Sequence, residues 1–258
     1  MDLLQEWANW KCDRPPFVLG LDKDELDSRR DRTIVIPSWA NAYRDKDFGA
    51  PDKDLRLHLG LLPQPFCGDL QHASIYVLLL NPGLSPHDYY GEHKVAQYSK
   101  ALLANLKQRS GSVPFFFLDP QYSWHSGFDW WHRKLAKVIE SLAKSWGLSF
   151  RDARVRLARE LASIELVPYH SARPWDGWIQ RLRSVALARS FVHDKVVPRV
   201  KQGKAIVIVT RQAKVWKLQE DDNNIICYRA QEARAAHLGP KSRGGKAILR
   251  HLTRKELR

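Results

Sequence analysis

The chain has 258 residues, a formal net charge of +14 and 44% hydrophobic residues. This length is enough for one large domain, or for one domain with an added segment. No run of 18 apolar residues occurs, which argues against a membrane-spanning helix, and the acidic N-terminus lacks the basic and apolar regions of a secretory signal. We therefore expect a cytoplasmic protein that does not associate with membranes.

The N-terminal quarter of the chain has little regular patterning. A short apolar strand candidate lies at Thr33–Ile36, and the clear periodicity begins at Ser74. We therefore predict a single domain over residues 1–258, with residues 1–60 as an N-terminal extension that packs on it.

Strands and helices alternate after Ser74. Four short apolar runs predict strands that are buried on both faces: Ile75–Leu80, Ile164–Val167, Ala205–Val209 and Ile225–Tyr228. Five segments have helical periodicity or capping signals: His93–Arg109, Asp129–Ser145, Ser149–Ala162, Trp178–Val197 and Gly245–Leu257. The alternation predicts an α/β fold with a central, mostly parallel four-stranded sheet flanked by helices.

Three segments between the predicted elements carry the candidate functional residues. They are Asn81–Gly83, Pro168–Trp175 and His237–Gly245. Ligands of open parallel sheets bind beyond the carboxyl ends of the strands. We therefore expect these three segments to converge on one site.

Aromatic residues are concentrated between Phe115 and Trp131, where eight of 17 residues are Phe, Tyr or Trp. Some of these rings must belong to the core, because Phe and Trp bury large areas. The Pro, Ser, His and Gly residues between them leave the alternative that other rings hold a base or a sugar.

Positive charge is concentrated at the C-terminal end. Residues 229–258 contain nine Lys or Arg against two Glu, a net charge of +7 that is half of the chain's total. Because neutralising phosphates releases condensed counterions, a nucleic acid is the natural partner of such a segment. The alternative is a protein that is merely basic.

The three cysteines, Cys12, Cys67 and Cys227, lie far apart. Their number and spacing argue against a disulfide framework, against a CxxC metal site and against a four-cysteine iron–sulfur cluster. A metal nuclease would need clustered carboxylates, and the pairs Asp45/Asp47 and Asp221/Asp222 are isolated. We therefore expect an activity that needs no metal and no cofactor.

A resemblance to a known family lies around the first predicted strand. The segment Leu62-Pro-Gln-Pro-Phe-Cys-Gly-Asp69, the strand, and then Leu80-Asn-Pro-Gly-Leu-Ser85 resemble the first active-site motif of the uracil-DNA glycosylase superfamily, in particular its mismatch-specific branch. Phe128–Trp131 resembles the aromatic segment of that branch. His237–Gly245 resembles a divergent second motif, and the resemblance extends over residues 60–258.

The resemblance implies a monomeric DNA glycosylase that acts on double-stranded DNA. Cleavage of an N-glycosidic bond builds positive charge on the sugar and negative charge on the departing base, which polar groups can stabilise. The target base must first leave the helix. By resemblance, Asn81 positions the attacking water and His237 contacts the leaving base, although Asn81 could instead be a turn residue and His237 a phosphate contact or a surface residue.

Asp119 is the candidate general base beside the aromatic segment, and Asp129 is an alternative that N-capping would explain equally well. The candidates for substrate binding are Pro82, Gly83, Tyr89, Phe117, Trp124, His170 and Arg173. The candidates for DNA binding are Lys241, Ser242, Arg243, Gly244 and Lys246. Core packing is the alternative for each ring, and a solvated basic loop is the alternative for the last group.

Two departures from the family concern the substrate. The Asp that activates water in the uracil-specific branch has no match after Leu80, and the region of His170 lacks the base-reading Asn. The resemblance therefore points to a modified pyrimidine, such as the glucosylated hydroxymethylcytosine that relatives in antiphage defence remove. A mismatch or uracil repair glycosylase and a nucleic-acid-binding module without catalysis remain alternatives.

Overall fold

The computed structural model describes residues 2–50, 53–109, 111–172, 177–221 and 224–256. Within these ranges the strands are β1 (Thr33–Ile34), β2 (Leu57–His58), β3 (Phe66–Cys67), β4 (Ile75–Leu79), β5 (Leu161–Glu165), β6 (Ile206–Val209) and β7 (Ile225–Cys227). The first six α-helices are α1 (Leu3–Asn9), α2 (Lys23–Asp27), α3 (Trp39–Arg44), α4 (Pro86–Lys94), α5 (Ala96–Leu106) and α6 (Ser126–Trp146). The others are α7 (Phe150–Glu160), α8 (Arg183–Phe191), α9 (Val197–Lys201), α10 (Ala213–Trp216), α11 (Ala230–Ala235) and α12 (Arg243–Glu256).

The chain forms two units. Unit 1 consists of Met1–Phe66, Leu80–Arg109 and Glu165–Phe191. Unit 2 consists of Cys67–Leu79, Ser110–Ile164 and Val192–Arg258. Residues 1–60, predicted as an extension, are thus part of unit 1 together with two later segments.

A five-stranded sheet has the order β3-β5-β4-β6-β7, and all of its residues except Phe66 and Glu165 belong to unit 2. The pairings of β4 with β6 and of β6 with β7 are parallel. All residues of β5 and β6 are buried, as are the first four of β4, which is why these segments read as continuous apolar runs. The helix α12 packs on β6 and β7, and α6 packs on α7 and α12.

The predicted α/β class with a mostly parallel sheet flanked by helices is confirmed. The four predicted strands correspond to β4, β5, β6 and β7, each within a few residues of the predicted bounds. The sheet has one strand more than predicted, because β3 has only two residues and cannot produce an alternating or continuous apolar pattern.

The long helix predicted from Trp178 to Val197 is instead divided. A 3-10 turn at Gly177–Arg181 precedes α8, and a π-helical turn at Val192–Val196 precedes α9. Pro198 lies in the first turn of α9 and, because it has no N–H, cannot donate a helical hydrogen bond to the turn before it. The helix starting after Ser149 ends at Glu160, because the next residue begins β5.

Unit 1 contains the parallel pair β1–β2 and the packed helices α3 and α4. A small core lies among these elements and is formed by Ile36, Ala42, Leu61 and Tyr89. Along the described residues, no helix has both the length and the apolar character needed to cross a membrane.

Candidate functional site

The segment that follows β4, Leu80–Ser85 (the Asn81 loop), is shaped by its own sequence. Gly83 has a φ of +79°, a conformation that residues with a Cβ rarely adopt. Ser85 caps α4, since its N–H and its hydroxyl both donate to Asp88 Oδ2, at 2.6 and 3.0 Å. Pro86 occupies the first helical position. The motif therefore encodes a strand end, a turn and a helix start in immediate succession.

A second segment of unit 1, the residues after β5, holds the Asn81 loop in place. The Ser171 N–H donates to the Gly83 carbonyl oxygen at 3.2 Å. His170 Nδ1 lies 3.0 Å from the same oxygen, and because a carbonyl can only accept, Nδ1 must carry the proton. His170 is buried, so the structure gives it a support role towards the loop backbone, where sequence predicted a substrate contact.

Asn81 has a defined amide orientation. Its Nδ2 donates to the Ser171 carbonyl oxygen at 2.8 Å, so the amide nitrogen faces Ser171 and Oδ1 faces away. Within the described residues Oδ1 accepts no hydrogen bond, and the residue is half-buried. Asn81 therefore presents an oriented amide oxygen that can accept a hydrogen bond from water.

Unit 1 also holds a buried polar network, formed by Asp54, Arg56, His58 and Tyr89 (the His58 network). His58 Nε2 lies 2.9 Å from Asp54 Oδ2, and His58 Nδ1 lies 3.0 Å from the Tyr89 hydroxyl. Arg56 Nε donates to Asp54 Oδ1 at 2.9 Å. The His58 N–H donates to the His170 carbonyl oxygen at 2.8 Å, which connects this network to the support of the Asn81 loop.

Burial determines the protonation states in the His58 network. It lowers the pKa of His58 despite the charge of Asp54, so the ring is neutral at pH 7 and donates from Nε2 to the carboxylate. Burial acts to raise the pKa of Asp54, but the hydrogen bond from Arg56 and the nearby His58 lower it overall. Burial raises the pKa of Tyr89, whose hydroxyl therefore stays protonated and donates to His58 Nδ1.

Glu92 lies on α4, the helix that follows the Asn81 loop, and contacts Leu62–Asp69, the first half of the predicted active-site motif. Its Oε2 accepts from the Leu62 N–H at 2.8 Å. Burial raises the pKa of Glu92 well above its usual range, against the effect of that hydrogen bond. Two residues further on, the Gln64 N–H donates to the Pro168 carbonyl oxygen at 2.8 Å. Both halves of the motif therefore contact the residues that follow β5.

The aromatic segment of unit 2 is mainly core. The Phe117 ring is buried, with its centre 4.3 Å from the Phe116 ring and 5.7 Å from the His125 ring. A Cβ at Gly127 would overlap the Phe117 ring, so glycine is required there for α6 to pack. Trp124 is half-buried, with its ring edge-on to His125. Of the predicted stacking rings, Phe117 and Tyr89 are therefore enclosed, and Trp124 keeps accessible surface.

Asp119 has a capping role in the structure. It caps the 3-10 turn Pro120–Tyr122, accepting from Gln121 N at 3.1 Å and from Gln121 Nε2 at 2.7 Å. The capping role considered for Asp129 is not observed, because His125 is the N-cap of α6. These contacts explain Asp119 without a role as a general base.

The predicted second motif lies in unit 2. His237 is exposed, and its carbonyl oxygen accepts from the Tyr228 hydroxyl. Ser242 Oγ donates to the Gly239 carbonyl oxygen at 2.8 Å and accepts from the Gly245 N–H at 3.0 Å, which closes the turn that opens α12. This hydroxyl is therefore used by the backbone, whereas the imidazole of His237 faces solvent.

The predicted DNA contacts of this segment differ in their surroundings. Arg243 pairs with Glu220 and Glu232 and donates to the Cys227 carbonyl oxygen at 3.0 Å. Its charge is therefore neutralised within unit 2. Lys241 and Lys246 are exposed. Gly244 is buried, and a Cβ there would overlap the Tyr228 hydroxyl, which assigns it to packing.

The structure brings two of the three predicted loops together. Asn81–Gly83, including Pro82, and the described part of Pro168–Trp175 lie side by side in unit 1. His237–Gly245 belongs to unit 2, so its convergence with them stays a prediction. Arg173 lies outside the described residues.

Of the His58 network only Tyr89 was a predicted site residue; Asp54, Arg56, His58 and Glu92 were not. A signal for the network exists in Asp54-Leu-Arg-Leu-His58, where polar and apolar residues alternate. In an extended segment such residues point to one face, which explains why Asp54, Arg56 and His58 meet. Glu92 has no comparable signal, because its partner Leu62 lies 30 positions away.

Comparison of the chain with protein-family models, with curated proteins and with solved structures finds no match. Fold and site therefore rest on the residues themselves.

Proposed function

We propose that the chain is a monofunctional DNA glycosylase of the uracil-DNA glycosylase type, which hydrolyses the N-glycosidic bond of a flipped, modified pyrimidine in double-stranded DNA. The observation that carries this proposal is the Asn81 amide, whose nitrogen is fixed on Ser171 and whose oxygen remains available. The product is an abasic site, and the reaction uses no metal or cofactor.

The position of the Asn81 loop in the fold supports this proposal. In the sheet, β5 lies on one side of β4 and β6 lies on the other. The chain therefore passes from β4 first to one side and later to the opposite side. Such a switch point is where α/β sheets bind ligands, beyond the carboxyl ends of the strands. Asn81 follows the last residue of β4 by two positions.

The chemistry fits a neutral amide. Water attacks C1′ of the sugar while the electrons of the glycosidic bond leave with the base, and the proton that this water loses is taken up by the departing base or by solvent water. Asn81 Oδ1 accepts a hydrogen bond from that water and directs an oxygen lone pair at C1′, but an amide cannot take up the proton. The residue therefore contributes positioning, and such a site suits a base that departs before the water is deprotonated.

The substrate we propose is a modified pyrimidine, and glucosylated hydroxymethylcytosine of phage DNA is the candidate to be tested first. The lack of a carboxylate after Leu80 argues against ordinary uracil excision. Tyr89 and Phe117 are enclosed and are not part of the proposed base contact, and a base contact of the half-buried Trp124 stays a prediction. The role of His237 towards the leaving base remains a prediction from the resemblance.

The test is the formation of abasic sites, revealed by alkali, in the presence of EDTA. Duplexes would carry uracil, mismatched thymine, hydroxymethylcytosine, glucosylated hydroxymethylcytosine or unmodified bases. We expect cleavage of one modified substrate and a loss of about 100-fold or more in Asn81→Ala, because the water is no longer positioned. The control is Asn9→Ala, which removes an exposed amide from α1 and should retain full activity.

Abasic sites on one substrate that depend on Asn81 would establish the glycosylase and name its base. Tight DNA binding without abasic sites on any substrate would contradict the proposal. In that case the chain is a binding module and Asn81 a turn residue.

A further inference from the structure

The helices α3 and α4 of unit 1 present an aromatic surface that the proposed reaction does not use. It consists of Trp39, Tyr43, Arg44, Tyr90 and Lys94 (the α3–α4 surface). Tyr43 is 50% exposed and Tyr90 43% exposed, which makes them the most exposed aromatic rings among the large apolar residues of the described chain. Exposed rings in contact with one another mark an interaction site more often than scattered ones do.

The rings of this surface have fixed positions. The Trp39 ring centre lies 5.4 Å from that of Tyr43 and 6.0 Å from that of Tyr90, with interplanar angles of 84° and 85°. Trp39 also packs against the small core of unit 1. The two tyrosines are therefore held edge-on by a partly buried ring while they remain accessible to solvent.

The charge of the α3–α4 surface is of one sign. Lys94 Nζ lies 5.7 Å from the centre of the Trp39 ring, and Arg44 is exposed at the end of α3. The acidic residues of α4 are turned inward, because Asp88 caps the helix and Glu92 binds the Leu62 N–H. On these two helices the exposed charged side chains are therefore all basic.

We infer that the α3–α4 surface binds an unpaired stretch of nucleic acid. Flat rings beside cations are the pattern that holds single strands, since bases stack on the rings while Lys and Arg neutralise the phosphates. A base pair inside a duplex offers no free face to such rings, so the surface suits unpaired nucleotides. This inference gives residues 39–44, in the N-terminal segment, a role.

The inference shares with the proposed function only the nucleic-acid partner. A base-flipping reaction leaves unpaired nucleotides near the target, and α4 begins five positions after Asn81. Binding of a plain single strand, however, requires neither a modified base nor the Asn81 amide. The two proposals can therefore fail separately.

The experiment measures the affinity of the full chain for a labelled oligothymidine and for a duplex of the same length, by fluorescence anisotropy. In the double variant Tyr43→Ala/Tyr90→Ala we expect about a tenfold or greater loss for the single strand, and less than about threefold for the duplex. The double variant Tyr43→Phe/Tyr90→Phe keeps the rings and should bind within about twofold of wild type. Leu103→Ala, a change at a 38% exposed residue of α5, is the matched control and should have no effect.

Charge is tested separately. Arg44→Gln/Lys94→Gln should reduce the slope of log affinity against log salt by about 1.4 for the single strand, whereas the alanine variants of the tyrosines should leave it unchanged. Asn81→Ala should bind oligothymidine like wild type whether or not the chain excises a base.

Two outcomes would overturn the inference. One is an equal affinity of the tyrosine-to-alanine variant and wild type for oligothymidine, with both chains folded by circular dichroism. The other is a wild-type chain that does not bind oligothymidine at low salt, which would show that the exposed rings do not hold unpaired nucleotides.

Discussion

Asn81 and His58 are polar residues of unit 1 whose amide or ring is fixed by hydrogen bonds, but they differ in solvent access. His58 is 0% exposed and both ring nitrogens are bonded within the chain. Asn81 is half-buried with one amide atom bonded. A side chain that is held on one side and open on the other is suited to act on a ligand, whereas one bonded on both sides contributes to stability.

His58 should make the stability of the chain depend on pH. Its pKa is lowered by burial below the usual 6.5, so the unfolded state takes up the proton first as the pH falls. The stabilising contribution is therefore complete above about pH 6.5 and decreases below it, by up to about 1.4 kcal/mol for each pH unit, until the folded-state pKa is reached. Urea denaturation at pH 7.5 and 5.5 measures this decrease.

The His58→Gln variant should be less stable at pH 7.5 and should lose less stability than wild type on going to pH 5.5. His72→Gln is the matched control, because the His72 side chain is 77% exposed and should leave the wild-type decrease intact. An unchanged decrease in His58→Gln would show that another group causes it.

The individual residues of the candidate site were predictable from sequence only in part. Asn81 follows a strand whose apolar run is unmistakable, and its neighbours Pro82 and Gly83 signal a turn. Its partner Ser171 lies 90 positions away, and the contact is made through a backbone carbonyl that no residue type specifies. The role of Tyr89 was missed in the same way. Its contact with His58 spans 31 positions, so the local sequence does not show that the ring is enclosed.

The start of α12 lies so close to the preceding turn that two of its positions require glycine. Gly244 and Gly245 are its second and third residues, and a Cβ at Gly245 would overlap the backbone carbonyl of Gly239. At Gly244 the obstacle is the Tyr228 hydroxyl, whose bond to the His237 carbonyl oxygen fixes it in place. The Gly-Gly pair, predicted as part of a DNA-binding loop, is therefore required by helix packing.

The Gly245→Ala substitution should destabilise the chain by about 3 kcal/mol or more, because neither backbone can move without breaking the turn. Chemical denaturation measures the loss. The Gly111→Ala substitution is the matched control, since a Cβ there has nothing within 4 Å, and should change stability by less than about 0.5 kcal/mol. A Gly245→Ala chain as stable as wild type would show that α12 does not approach this closely.

Elements were predictable where their own residues carry the pattern. The strands β4 to β7 overlap with apolar runs. The helix α6 has helical periodicity that ends at Gly147, and α7 has a capping signal at Ser149. The strand β1 lies within the short apolar run Thr33–Ile36, which predicted a strand. The strands β2 and β3 have two residues each and are defined only by their partners, so no local pattern marks them. The division of the 178–197 helix likewise depends on packing, which periodicity does not report.

For the whole molecule, the net charge of +14 overstates the charge that a nucleic acid meets. Several cations are paired within their own unit, including Arg56 with Asp54 in unit 1 and Arg243 with Glu220 in unit 2. Lys241 and Lys246 are exposed beside the start of α12. Phosphate contacts should therefore come from the exposed lysines rather than from every basic residue of the C-terminal segment.

Salt dependence distinguishes these two classes of cation. For duplex DNA, Lys241→Gln/Lys246→Gln should reduce the slope of log affinity against log salt by about 1.8, since each phosphate contact contributes about 0.9. Arg243→Gln should leave that slope unchanged and should instead lower the free energy of unfolding by about 1 kcal/mol, because its partly exposed ion pairs stabilise the fold weakly. Titrations from low to moderate salt measure the slopes. An equal reduction in Arg243→Gln would mean that its guanidinium leaves Glu220 and Glu232 to bind phosphate, so that the basic segment acts as one DNA-binding surface.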